Sequence, residues 1–157
     1  MTKRGGTTSG PKSAPAPPTP ASAARPPILV VVGSAEGSAA GPGGWGYVIC
    51  YPGGQEAEAG GAVAETTGQR TALIAVIRAF ERLEPPDASP VRVVSASEYL
   101  VDGASGKAAR RAHPDLWAQL DPLVRGRQVV WEWEPEETMY LQERAAELAH
   151  LAVKRAR

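Results

Sequence analysis

The stretch Ile28–Tyr51, ILVVVGSAEGSAAGPGGWGYVICY, decides the fold. It is an apolar run, a turn rich in glycine and proline, and a second apolar run, the pattern of an antiparallel hairpin. Val30, Val31 and Val32 are β-branched and favour a pleated, half-buried strand. The glycines of the segment 41–46 let the backbone turn or approach a neighbour closely.

Downstream of the hairpin, Gly53-Gly54 marks a turn and Gln55–Ala64 reads as a third strand. Thr66-Thr67-Gly68-Gln69 supplies a helix start with threonine hydroxyls to cap free N–H groups. Leu73, Ile74, Val76, Ile77, Phe80 and Leu83 then recur at helical spacing until Pro85-Pro86 stops the helix. Val91–Ser95 is a short apolar strand, Ser97–Val101 starts a helix or turn, and the small, basic segment Gly103–Ala112 reads as a loop. Asp115–Val124 places Leu116, Trp117, Leu120 and Leu123 on one helical face. Gln128–Glu134 alternates strictly, with Val129, Trp131 and Trp133 on the core side and Glu132 and Glu134 towards solvent. Leu141–Lys154 closes as an amphipathic helix. The order β-β-β-α-β-α-β-α predicts an α/β fold with a five-stranded mixed sheet flanked by helices.

Residues 1–27 differ from the rest. They hold seven prolines, no aromatic residue and no periodic apolar face, so they read as a disordered tail in front of a domain spanning 28–157. Formal charge is uneven: the tail carries about +4 and the body about −4. An acidic body is a poor electrostatic footprint for nucleic acid, whereas the tail and the Lys107–Arg111 segment leave room for weak RNA contact. One cysteine, Cys50, excludes an internal disulfide framework, and no apolar run reaches membrane-spanning length. These features predict a cytoplasmic protein with no membrane contact.

The order and local sequence resemble the type 1 ribonuclease H family. The resemblance lies in GPGGWGYVI (Gly41–Ile49), TTGQRTALIAVIRAFERL (Thr66–Leu83), DLWAQLDPLV (Asp115–Val124), VVWEWEP (Val129–Pro135) and QERAAELAHLA (Gln142–Ala152). It implies a ribonuclease H-like fold over residues 28–155 and, in the family, cleavage of the RNA strand of an RNA/DNA hybrid with two magnesium ions. That chemistry uses four carboxylates. Carried over one at a time, their positions fall on Val32, before Gly33-Ser34; on Ala72, two after Arg70; on Ala96, within Ser95-Ala96-Ser97; and on Ala146, between Ala145 and Glu147. Valine and alanine offer no donor oxygen for a divalent cation. The family's loop histidine has no counterpart in Glu134–Tyr140 either, and His113 and His150 read as surface residues.

Two expectations follow from the resemblance and its departures. The first is a catalytically inactive ribonuclease H-like module, with no metal and no cofactor, engaging a protein partner, a second copy of itself or, weakly, RNA or an RNA/DNA hybrid. Thr67, Gln69 and Arg70 are its candidate nucleic-acid contacts, against simpler roles as helix cap and ion-pair partner. The alternative is an active RNA/DNA-hybrid endoribonuclease with non-standard metal ligands, for which Glu36, Glu98 and Glu143 are the candidate acids. Trp131 and Trp133 are expected in the core, and Trp45, after its glycine turn, on a contact surface.

Overall fold

Five strands and four helices follow one another in the computed structural model, which describes residues 26–36, 42–64, 66–83, 89–135 and 140–156. The strands are β1 (Ile28–Glu36), β2 (Gly43–Cys50), β3 (Glu56–Val63), β4 (Val91–Ser95) and β5 (Val129–Trp133). The helices are α1 (Gly68–Arg82), α2 (Glu98–Ser105), α3 (Pro114–Val124) and α4 (Tyr140–Ala156). The sheet order is β3-β2-β1-β4-β5. β1, β2 and β3 form the antiparallel meander, while β4 and β5 extend it in parallel from β1. A mixed five-stranded sheet between helices is the expected fold class.

Side-chain alternation along β1 feeds two apolar layers. Ile28, Val30 and Val32 pack with Leu73, Val76, Ile77 and Phe80 of α1 and with Leu100, Leu116, Trp117 and Leu120 beyond it. Val31 points the other way and joins Val48, Val94 and Ala145 beneath α4. α4 covers β1, β2 and β3. It comes very close to the sheet because two register partners, Gly33 and Gly46, lie under it. A Cβ built on Gly46 would stand 2.3 Å from the Ala145 carbonyl oxygen, and one on Gly33 2.7 Å from the Ala146 nitrogen. Only glycine permits that approach at these two positions.

The connection from β4 to β5 departs from the expected single helix. Part of the stretch expected as a loop is α2, whose start is capped by Ser97 Oγ accepting from the Leu100 N–H at 3.2 Å. It ends at Gly106, which adopts φ 85°. The sequence marks a helix or turn starting at Ser97–Val101, and the helix runs on through Gly103–Ser105, the beginning of the stretch expected as a loop. Trp133 also departs from expectation. Trp131 meets Phe80 in the core with ring centroids 6.3 Å apart, whereas Trp133 at the strand end is 43% exposed. Of the segment expected as a tail, residues 1–25 lie outside the described residues.

Candidate active site

The adjacent C-terminal ends of parallel β1 and β4 open a cavity of about 270 Å³. Val32, Gly33 and Ser34 line it from β1, and Ser95, Ala96 and Ser97 from β4 and the start of α2. Gly68, Gln69 and Ala72 contribute from the first turns of α1, and Gln142 from α4. Three of the four positions at which the resemblance puts carboxylates, Val32, Ala72 and Ala96, therefore face one space. The fourth, Ala146, packs its backbone nitrogen against Gly33 at the edge of that space. Val32, Ala72 and Ala146 are buried and Ala96 is exposed.

The polar groups of the lining are neutral, and several are committed to holding backbone in place. Ser95 Oγ accepts from the Ser97 N–H at 3.0 Å, and Ser97 Oγ caps α2. Gln142 is buried, and its Nε2 donates to the Glu134 carbonyl oxygen at 3.3 Å, which ties the start of α4 to the end of β5. Sequence reasoning missed this glutamine, although a signal existed. Gln142 shares a helical face with Ala145, Ala149 and Val153, all buried, so a polar residue in that stripe needs a partner inside the fold.

The three candidate nucleic-acid contacts separate. Gln69 is exposed and lines the cavity. Thr67 caps α1, its hydroxyl accepting from the Arg70 N–H at 3.4 Å. Arg70 turns towards α3, where it grips Asp115 through two hydrogen bonds of 3.2 and 2.8 Å and also contacts His113 Nδ1 at 3.2 Å. The hydrogen bond from Arg70 holds the Asp115 carboxyl below its usual range, and the Arg70 guanidinium is itself raised by that bond. His113 caps α3 in the left-handed region, φ 63°. Burial first, and the Arg70 charge second, push its pKa below the ordinary value.

Neither Glu98 nor Glu143 lines the cavity. Glu98 is exposed in the first turn of α2, next to Ser97. Glu143 is exposed on α4 and borders a shallow depression shared with Ala146, Glu147 and His150. The side chain of Glu36 lies outside the described residues, as do Glu136 and Glu137. Among the described residues no group of three or more His, Cys, Asp or Glu side chains could hold a metal ion. Serine hydroxyls and amide groups carry no charge to balance a hard dication, so the described lining does not fit a magnesium pair.

Comparison with known proteins bears on what this cavity is for. The RNase H family profile matches residues 28–135. A protein of Aromatoleum aromaticum named ribonuclease H is 37% identical over 131 residues, covering 74% of this chain and 84% of the relative. A protein of the same name from Thiobacillus denitrificans is 36% identical over 138 residues, covering 74% and 86%. Among solved structures, LC11-RNase H1 in complex with an RNA/DNA hybrid aligns with a TM-score of 0.73 at 25% identity, over 82% of this chain and 98% of that one.

These relationships correct two expectations. The first is the catalytically inactive module: relatives along most of the chain are named for a nuclease, and the alternative of an active hybrid endoribonuclease is the better supported of the two. The second is the absence of a cofactor, which rested on four side-chain positions alone and does not stand against membership of a lineage whose resemblance implies magnesium chemistry. Among the described residues, no helix is long and apolar enough to cross a membrane. By profile, by identity along most of its length and by the superposition of its sheet and helices, this chain belongs to the RNase H family.

Proposed function

We propose that the protein acts on RNA/DNA hybrids and hydrolyses the RNA strand. Family membership along residues 28–135 carries this reading. It is supported by an open cavity at the ends of β1 and β4 and by a structural neighbour that holds a hybrid. Gln69, at the first turn of α1, is the polar side chain offered to a groove edge or sugar hydroxyl. Thr67 and Arg70 act one step back, by fixing the start of α1 and bracing it against α3. Any divalent ion used in hydrolysis needs acids outside the described cavity lining, and Glu36, Glu98 and Glu143 are the ones to test. The basic segment 1–27 adds phosphate contacts from outside the domain, and a lone unpaired cysteine, Cys50, suits a cytoplasmic setting.

The test is a gel assay of a labelled RNA/DNA hybrid in Mg²⁺ or Mn²⁺, with EDTA and single-stranded RNA as controls. Cleavage of the hybrid that EDTA abolishes is the expected result. Glu36→Gln, Glu98→Gln and Glu143→Gln then identify the acids, each essential one lowering the rate by about 100-fold or more. A hybrid left intact under conditions in which an authentic ribonuclease H digests it overturns the reading.

A further inference from the structure

We propose that the exposed face of Trp133 is a nucleotide contact on the rim of the cavity, an inference that rests on the hybrid-directed reading above. Trp133 closes β5 in register with Ser95, and its indole Nε1–H donates to the Ala96 carbonyl oxygen at 3.2 Å. Ser95 and Ala96 both line the cavity. The ring is thus fixed beside the opening with its one polar atom satisfied inside the protein, so its exposed part is aromatic carbon. A packing role does not account for that exposure. Trp131, two residues earlier on the same side of the strand, is met by Phe80, whereas Trp133 is left 43% exposed.

Only three large apolar side chains are this exposed among the described residues: Val130, Trp133 and Tyr140. Trp133 is the one bonded to the cavity wall. Val130 stands on the opposite face of β5.

A rigidly held indole presents a flat apolar surface with little ordering cost on binding, which suits the face of a base or sugar. Charge narrows the choice further. Glu98 stands exposed at the start of α2, two residues after the Ala96 that holds the indole, so this surface disfavours phosphate. The contact is therefore to the sugar or base face of a nucleotide whose phosphate lies elsewhere.

The experiment is anisotropy of a labelled hybrid whose RNA strand carries 2′-O-methyl groups and so survives the measurement. Wild type is compared with Trp133→Leu, Trp133→Phe and Val130→Ala, all checked by circular dichroism. The leucine variant is expected to lose about tenfold in affinity, while the phenylalanine variant and Val130→Ala stay within about twofold of wild type. Quenching of indole emission by the hybrid should fall in Trp133→Phe, a readout that does not depend on the leucine variant folding. A leucine variant that binds like wild type, or quenching that Trp133→Phe leaves unchanged, overturns the contact and leaves the nuclease reading standing. A wild-type protein that neither binds nor cleaves hybrid overturns that reading and this inference with it.

Discussion

His113 Nδ1 lies 3.2 Å from an Arg70 nitrogen, and the same guanidinium holds both oxygens of Asp115. Arginine only donates, so the facing imidazole nitrogen accepts and His113 is neutral with its proton on Nε2. Its folded-state pKa is depressed below 6.5 by burial and by Arg70, against the opposing pull of Asp115. The unfolded chain then binds more protons than the native one, so stability linked to this group is complete above 6.5 and is lost as pH falls through the lowered value. Thermal melts of wild type should therefore show an acid-side loss beginning below that point, and His113→Asn should flatten it. Asparagine tolerates the left-handed backbone there, so the variant removes the titration without adding strain. A profile unchanged by His113→Asn rejects the linkage.

Asp115 itself marks a second, more acidic limb. Its pKa is held below 3.8, chiefly by the hydrogen bond from Arg70, so its contribution is present above that value and disappears as pH falls through the lowered one. Asp115→Asn should remove this limb and, by taking away the charge that opposes the lowering of His113, move the His113 limb to lower pH, which a melting series extended into the acid range will resolve.

Gly46→Ala should be among the most damaging small substitutions. The new methyl would meet the Ala145 carbonyl oxygen, a backbone atom that cannot step aside without moving α4. A loss of about 2 kcal/mol or more in urea unfolding is expected. Gly53→Ala, where nothing lies within 4 Å, should change stability by no more than about 0.5 kcal/mol.

Introducing Val32→Asp, Ala72→Glu, Ala96→Asp and Ala146→Asp together tests whether these positions converge. Like charges gathered around one cavity, most of them buried, should cost roughly 3 kcal/mol or more in EDTA, and millimolar Mg²⁺ should restore much of it. Differential scanning fluorimetry with and without Mg²⁺ reads this directly. A melting temperature in the quadruple variant that ignores magnesium means that the four side chains do not share a space.

The two tryptophans of β5 should separate in stability. Trp131→Ala removes a ring packed on Phe80 and should cost about 3–4 kcal/mol in urea unfolding. Trp133→Ala removes a half-exposed ring and one hydrogen bond and should cost less than half of that.

That pair shows how far the sequence could be read. Strict alternation put Trp131 and Trp133 on the correct face, because strand period depends on local backbone alone. It could not say where the covering helix stops, which is a property of tertiary packing. The hairpin, the third strand and α1 were legible because each combines a long apolar pattern with turn or cap residues. α2 was legible only at its start, a helix or turn at Ser97–Val101, because its last residues, Gly103, Ala104 and Ser105, carry no apolar pattern. The gathering of Val32, Ala72 and Ala96 was legible through family likeness. An ion-pair role for Arg70 was read from the sequence, but Asp115 as the partner was not, because a pair 45 residues apart in the chain leaves no local trace. The inactive-module expectation rested on side-chain identity at four positions, whereas relatives named for a nuclease along most of the chain favour the alternative, a relationship that four positions do not carry.

The closeness of α4 to the sheet has a consequence for synthesis of the chain. The helix that covers Val31 and Val48 lies about a hundred residues after them, so the meander can form on the ribosome long before its cover exists. At ordinary translation speeds, one face of the nascent sheet remains bare for about 5–20 seconds. During that interval the glycine floor at Gly33 and Gly46 is an unfilled slot on an apolar surface until the helix arrives.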